Sequence, residues 1–453
     1  MRRIFVALAV MLSMAVPAMA VDFTFHGDFN HRFRMYTNQA GFFDGVDKGE
    51  RLTRTALVRK DTNNDTMGEL KYRLWTTAAS DDGAIKGVFA IELGGIQFGK
   101  GTDGDFSGDG RTIEARLAYT DFALAGGRAR MGLMPIKVNK FLWNETVTGV
   151  DYKVAAGAGD LTVGWFRGYE VTDTDNSPAD LDAFLVRYDL KPADGTKVGF
   201  FGLWQTSDGD TQGDVDNGTA TATAPTHYYT KGFTGWDLDL YTVGVDGSMK
   251  AGNMFANWDL MYQMGDFMEE QDFGGYFAHF DVGVKLGKGK LTYTFWYASG
   301  DDDSNDGDMD AFIATDIDIN SEYSVILFEG YTDDDYFSSS PYLQDKGMIL
   351  NRLGYDYQVT DKLKVGAAAL YLMTAEDIGN DTNGDGKVDQ YADDTLGVEF
   401  DAYASYKLFT NTEAAIQFGY LMADDAMDYY EFEQDGSSDE DIFIISSRIR
   451  YKF

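Results

Sequence analysis

The stretch "DFTFHGDFNHRFRM" puts Phe23, Phe25, Phe29, Phe33 and Met35 on one parity, and Asp22, Thr24, His26, Asp28, Asn30, Arg32 and Arg34 on the other. A period of two is the signature of an extended strand with one apolar and one polar face. The alternation returns along the chain, with apolar sets such as Leu70, Tyr72, Leu74; Ile113, Ala115, Leu117, Tyr119; Leu238, Leu240; Met254, Ala256, Trp258, Leu260, Tyr262; and Leu396, Val398, Phe400. It persists to the last residues, "DIFIISSRIRYKF", where Ile445, Ile449, Tyr451 and Phe453 oppose Ser446, Arg448, Arg450 and Lys452. Read this way the chain holds 18 candidate strands, or 16 if the region 136–154 merges or drops a hairpin.

The links between these strands alternate in length. "SDDGA", "LAGG", "KPADG", "GKGK", "VTDK" and "FTNT" are short, and each follows an even strand; the long links, among them 36–67, 99–111, 135–148, 207–235 and 300–346, each follow an odd one. All long links therefore lie at one end of the sheet, with both termini at the other. A soluble sandwich has no reason to segregate its loops so completely. The expected fold is all-β: a transmembrane antiparallel up-and-down barrel with short periplasmic turns and long outer loops.

Composition fits that reading. The chain has 453 residues, a formal net charge of -36 and 25% charged residues, so average hydropathy makes it look soluble. A barrel shows lipid only every second residue, and hydropathy averages this out. No stretch after the first 20 residues approaches the roughly 18 apolar residues of a spanning helix. The start, "MRRIFVALAVMLSMAVPAMA", has Arg2 and Arg3, an apolar run and the small-x-small site Ala18-Met19-Ala20, the pattern of a secretory signal peptide cleaved after residue 20. A single barrel domain over 21–453 is expected to remain. The chain has no cysteine, which excludes disulfides.

The closing "RIRYKF" resembles the C-terminal signal of Gram-negative outer-membrane proteins, with Phe453 last and an aromatic, Tyr451, two before it. The resemblance implies recognition by the barrel-insertion machinery. The mature chain as a whole resembles the general porins, and "IEARLAYTDFALAGGRARMGLMPIK" is similar to porins of sulfate-reducing, deltaproteobacterial organisms. That family implies a water-filled channel in the bacterial outer membrane for passive diffusion of small hydrophilic solutes and ions. It also implies a homotrimer among lipid and lipopolysaccharide, and a third outer loop folded into the pore. Here that loop is "PIKVNKFLWNETVT", whose Phe141 and Trp143 are apolar enough to pack inside the barrel or to form a subunit contact or external cap; Glu145 is its only acid, where family constriction loops often carry several.

Inward parity gathers bases on neighbouring strands: Arg448, Arg450 and Lys452 on the last, Arg32 and Arg34 on the first, Lys71 and Arg73 on the second, Arg116 on the fourth, and Arg128 and Arg130 on the fifth. Only Glu69, Glu92 and Glu114 interrupt this wall, so the pore is expected to prefer anions, unless the residues merely solvate a wet lumen. Acids concentrate in the long links. The best-patterned, "DTNGDGKVD", spaces Asp381, Asn383, Asp385 and Asp389 about Gly386, with the Lys387 carbonyl where a further ligand belongs. It resembles the first nine positions of an EF-hand calcium loop but has Ala392 at the twelfth, so weak calcium binding is the expectation and a merely hydrated acidic loop the alternative. No cofactor is required.

An enzyme is not expected. There are four histidines and no G-x-S-x-G elbow, H-E-x-x-H or phosphate loop, and nothing suggests a nucleic-acid partner. The competing reading is a non-conducting calcium-binding surface barrel for adhesion or envelope packing.

Overall fold

A computed structural model of the chain describes residues 21–39, 63–99, 113–170, 180–209, 236–267, 271–303, 341–380, 386–430 and 441–453, together with 233, 382–383 and most of 306–331. The leader 1–20 lies outside the described residues. The strands in chain order are β1 (Val21–Gln39), β2 (Asn63–Ser80), β3 (Ile85–Gln97), β4 (Glu114–Leu124), β5 (Gly127–Asn139), β6 (Trp143–Ala156), β7 (Gly159–Tyr169), β8 (Leu181–Ala193), β9 (Thr196–Asp208) and β10 (Asp237–Ala251). They continue as β11 (Met254–Phe267), β12 (Gln271–Phe273), β13 (Tyr276–Leu286), β14 (Gly289–Ala298), β15 (Asp308–Met309), β16 (Met348–Gln358), β17 (Leu363–Asn380), β18 (Gln390–Phe409), β19 (Thr412–Ala423) and β20 (Ile442–Lys452). β12 and β15 are short and pair in parallel outside the main ladder, which leaves 18 barrel strands.

Each barrel strand pairs antiparallel with its neighbour, and β1 closes the sheet on β20 from Asp28↔Lys452 to Thr37↔Phe443. Closure leaves no open edge, the condition for a sheet to sit in lipid. The seam is sealed at its short-turn end, where the amide and carbonyl of Phe453 bond those of Gly27 at 3.1 and 3.0 Å. A Cβ on Gly27 would fall 2.2 Å from the Phe453 ring, so that ring needs the glycine beneath it. The turn between β4 and β5 has positive φ at both Ala125 and Gly126, 45° and 82°, the geometry of a two-residue hairpin.

The outward face is apolar all round, with Phe25 66%, Val186 54% and Leu353 53% exposed. A continuous apolar surface of that kind far exceeds what a soluble monomer shows, and lipid is the solvent that suits it. The packed core is inside the barrel instead.

Four details depart from strict alternation. A bulge on β4 at Arg116, where Ala115 and Leu117 pair with the adjacent Ile91 and Ala90 of β3, turns Leu117 and Tyr119 inward, and Tyr119 packs on the inner core. A second bulge at Gly397 (φ 132°) lets Leu396 face inward, 1% exposed. Leu238 and Leu240 are also inward, because near the long-link end β10 meets packed apolar chain (Phe233, Met309, Ile313); Tyr241 and Val243 take the outward face. Finally, 135–148 is no long link. β5 and β6 run on until only residues 140–142 join them, and the hairpin keeps the count at 18.

Candidate functional site

The barrel interior has two unlike zones. Towards the long-link end it is filled by chain. The described residues of 311–331, part of the link between β14 and β16, lie in the lumen, with Phe312, Val325 and Ile326 all 0% exposed against inward residues such as Leu203, Trp296, Leu350 and Ile444. The tip of the β5–β6 hairpin reaches the same place. Phe141 lies 4.5 Å from the His279 ring, 5.0 Å from Phe277 and 5.4 Å from Trp296, ring centroid to centroid.

The two inner segments are tied to one another and to the wall. Thr315 donates its amide to the Leu142 carbonyl (2.8 Å), and Asn144 donates to that of Asp316 (2.9 Å). Tyr342 donates to the Phe141 carbonyl at 2.6 Å; burial pushes its hydroxyl pKa well up, so it stays a donor. Lys140 pairs with Glu322 and sits 4.3 Å over the Tyr323 ring. Asn139 donates to Asp259 (2.6 Å), and His279 lies between Asp259 (2.7 Å) and Asp281 (3.4 Å). On the wall, the Gln263 side chain holds both the N–H and the carbonyl of Ile313 at 2.8 Å.

Towards the short-turn end lies a cavity of about 720 Å³. Its lining includes eight cations, Arg32, Lys71, Arg73, Lys290, Arg352, Lys364, Arg448 and Arg450, against five carboxylates, Asp28, Asp281, Glu322, Asp356 and Glu413. Its roof is the inner segment, through residues such as Tyr323, Phe328 and Tyr331. Arg448 stacks 4.2 Å over the Tyr331 ring.

Of the bases expected on the wall, Arg32, Lys71, Arg73, Arg448 and Arg450 line this cavity; Arg34, Arg116, Arg128, Arg130 and Lys452 lie beside it on the same inner face. The wall is a cross-strand ion-pair ladder. Arg32 meets Glu69 at 2.8 Å, Lys71 meets Glu92 at 2.9 Å, Arg128 meets Asp121 at 2.7 Å, and Arg448 meets Glu413 at 3.1 Å. Arg116 reaches Glu145 at 3.2 Å and Glu92 at 3.8 Å. Arg130 pairs with Asp151, Arg450 with Asp28, and Lys452 approaches Asp28 at 3.8 Å. Arg34 lies 5.0 Å over the Tyr36 ring. Such pairs reduce the field of the wall without abolishing it, because cations still outnumber acids around the cavity.

Lys290, Arg352 and Lys364 were not among the expected residues. They stand one to a strand on β14, β16 and β17, facing the basic wall. Inward parity, carried round the whole barrel, would have found them. Residues 311–331 gave no signal beyond their apolar content.

At the outer face, Asp381 and Asp385 lie outside the described residues. Thr382 donates its amide (3.0 Å) and hydroxyl (2.9 Å) to Asp389, and the Lys387 ammonium lies 3.3 Å from Asp303. Among the described residues no group of three metal-ligating side chains comes together. Tyr451 and Phe453 stack at 5.4 Å on the outer face of the short-turn rim, beside Phe29.

No protein-family model and no curated protein matches the chain. Solved structures do. The outer membrane protein OprD from Pseudomonas aeruginosa is 12% identical, over 95% of this chain and 93% of that one, with a TM-score of 0.52. OpdK of the same organism is 9% identical over 95% and 98%, at 0.52, and its OccK8 (OprE) is 9% identical over 95% and 98%, at 0.53. At such identities the likeness establishes the fold, a closed 18-strand barrel of the kind outer-membrane porins have.

Proposed function

We propose that this chain is a passive channel of the bacterial outer membrane, passing small hydrophilic solutes and ions with a preference for anions. The observation that carries the reading is the lumenal cavity, polar in lining and richer in cations than in acids although the whole chain is strongly acidic. Charges that line a narrow lumen bias ion passage far more than charges on distant loops, which salt screens within about 10 Å at 0.1 M. The apolar outward band supports residence in a membrane, and the aromatic end of β20 supports delivery by the insertion machinery after loss of the leader 1–20. The structural neighbours support the outer-membrane porin reading, while the link to sulfate-reducing bacteria and the homotrimer are proposed from the sequence resemblance.

The test is a salt gradient across a planar bilayer holding the purified protein. Lys290 and Lys364 are half exposed in the cavity and share Asp356, so Lys290→Gln with Lys364→Gln removes two cations from the lining without placing further acids beside that carboxylate. The wild type is expected to reverse on the anion side and the double variant to shift towards cations. A cation-selective wild type would show that the acidic loops govern selectivity. A folded barrel that never conducts would leave the surface-barrel reading.

Calcium ordering of the loop at 381–389 is a separate part of the proposal. Its expected outcome is slower protease cleavage of that loop with millimolar calcium, lost in Asp381→Ala with Asp385→Ala; equal cleavage in every condition leaves a hydrated loop only.

A further inference from the structure

The inner segment is tied to the barrel at several polar points, among them Ile313 on Gln263, Thr315 on Gln205 and Ser321 on Gln417, and one side chain takes more of its donors than any other described. Glu399, on the inner face of β18, is 0% exposed. One carboxylate oxygen accepts the amides of Val325 and Ile326 at 2.9 and 3.0 Å; the other accepts the Ser324 hydroxyl at 2.7 Å. The same hydroxyl accepts the Leu327 amide at 2.9 Å, so four successive residues are organised by one side chain. These residues turn the segment directly above the cavity. Just beyond them Tyr331 donates its amide to Ser446, and its ring meets Arg448.

We propose that Glu399 is the positioning residue of the lumenal segment, holding 324–327 across the barrel and so setting how often the channel widens. Apolar burial gives the segment most of its affinity for the lumen. It does not give it a register, because a run such as Val325-Ile326-Leu327-Phe328 could slide and still bury its side chains. Three converging hydrogen bonds to one buried carboxylate fix that register. Removing the acceptor takes their partner from the Ser324 hydroxyl and the Ile326 amide and leaves the Val325 amide only the neighbouring Asp401, a loss that falls on the closed arrangement alone. Opening should become more frequent, while the packed state remains the commoner one.

The chain has no cysteine, so Leu327→Cys, at a site 2% exposed, gives a unique thiol buried in the closed segment. A small charged thiol reagent applied to the folded barrel in detergent then reads the opening equilibrium. Adding Glu399→Ala should raise the labelling rate at least tenfold, while Glu399→Gln, which keeps an oxygen for the two amides, should stay within about threefold of the parent. Equal labelling with and without Glu399→Ala overturns the proposal. So does Glu399→Gln labelling as fast as Glu399→Ala. If Glu399→Ala does not assemble, Ser324→Ala carries the test from the loop side: a several-fold rise supports the assignment, and an unchanged rate overturns it. The effect on conductance, added larger openings in Glu399→Ala, rests on the channel reading. Labelling does not, so a barrel that never conducts would fail the channel and leave this assignment standing or falling on its thiol rates.

Discussion

Glu92 illustrates how the inner wall is held at the level of single residues. In the sequence it interrupts a basic wall; in the structure it is the hub of that wall, reached by Lys71, Arg73 and Arg116. Deleting it takes the carboxylate from between three cations, of which Arg116 keeps Glu145. Removing one partner of a buried ion pair costs about 3–5 kcal/mol, and the lower figure applies because these cations are partly wet. Glu92→Ala should therefore lower the urea midpoint of the barrel in lipid vesicles, whereas Glu114→Ala, exposed at the end of β4, should leave it unchanged. Which bases face inward was legible from parity alone. Their partners were not, since pairing across strands depends on register, and sequence alternation fixes the face of a residue but not its neighbour.

At the scale of elements, strand number and the side taken by most side chains followed from alternation. The exceptions have local causes: a bulge slips the parity by one, as at Leu117, Tyr119 and Leu396, and a packed interior makes the inner face apolar, as at Leu238 and Leu240. The hairpin tip 140–142 was legible as an apolar loop, but whether it packed within the barrel or outside it was left open. Phe141 lies inside, 1% exposed. Truncating a buried phenylalanine costs about 3–5 kcal/mol. Phe141→Ala should loosen the tip and increase current noise in single channels; a trace identical to wild type would show that the tip does not border the conducting path. The link between β14 and β16 carries a second, pH-dependent expectation. Burial, with Asp345 beside it, pushes the Asp301 carboxyl up to about 6, above its ordinary value near 3.8. A raised carboxyl stabilises the folded link when protonated. That contribution is complete below the ordinary value and is lost as pH rises to about 6. Amide exchange over 300–310, corrected for intrinsic rates, should accelerate between pH 4 and 6.5, and Asp301→Asn should flatten the profile; a pH-independent wild type would contradict this.

For the whole molecule, the two faces of the sheet exchange their usual roles. Apolar side chains point out to lipid, while polar pairs and a filled core occupy the inside. The acids that make the chain so negative are concentrated in its long links, and the lumen keeps a cationic cavity. That separation was visible in the sequence as inward bases against loop acids. The cavity itself was not, because residues far apart in the chain close it: β20 meets β1 across the seam, and Ile319, Tyr323, Phe328 and Tyr331 roof it from another link. The central claim is that water and ions cross through this lumen. Single-channel recording of the purified wild type in a planar bilayer tests it most directly. Discrete, ohmic conductance steps that scale with salt concentration are the predicted result, and a correctly folded barrel that inserts yet gives no steps would contradict it.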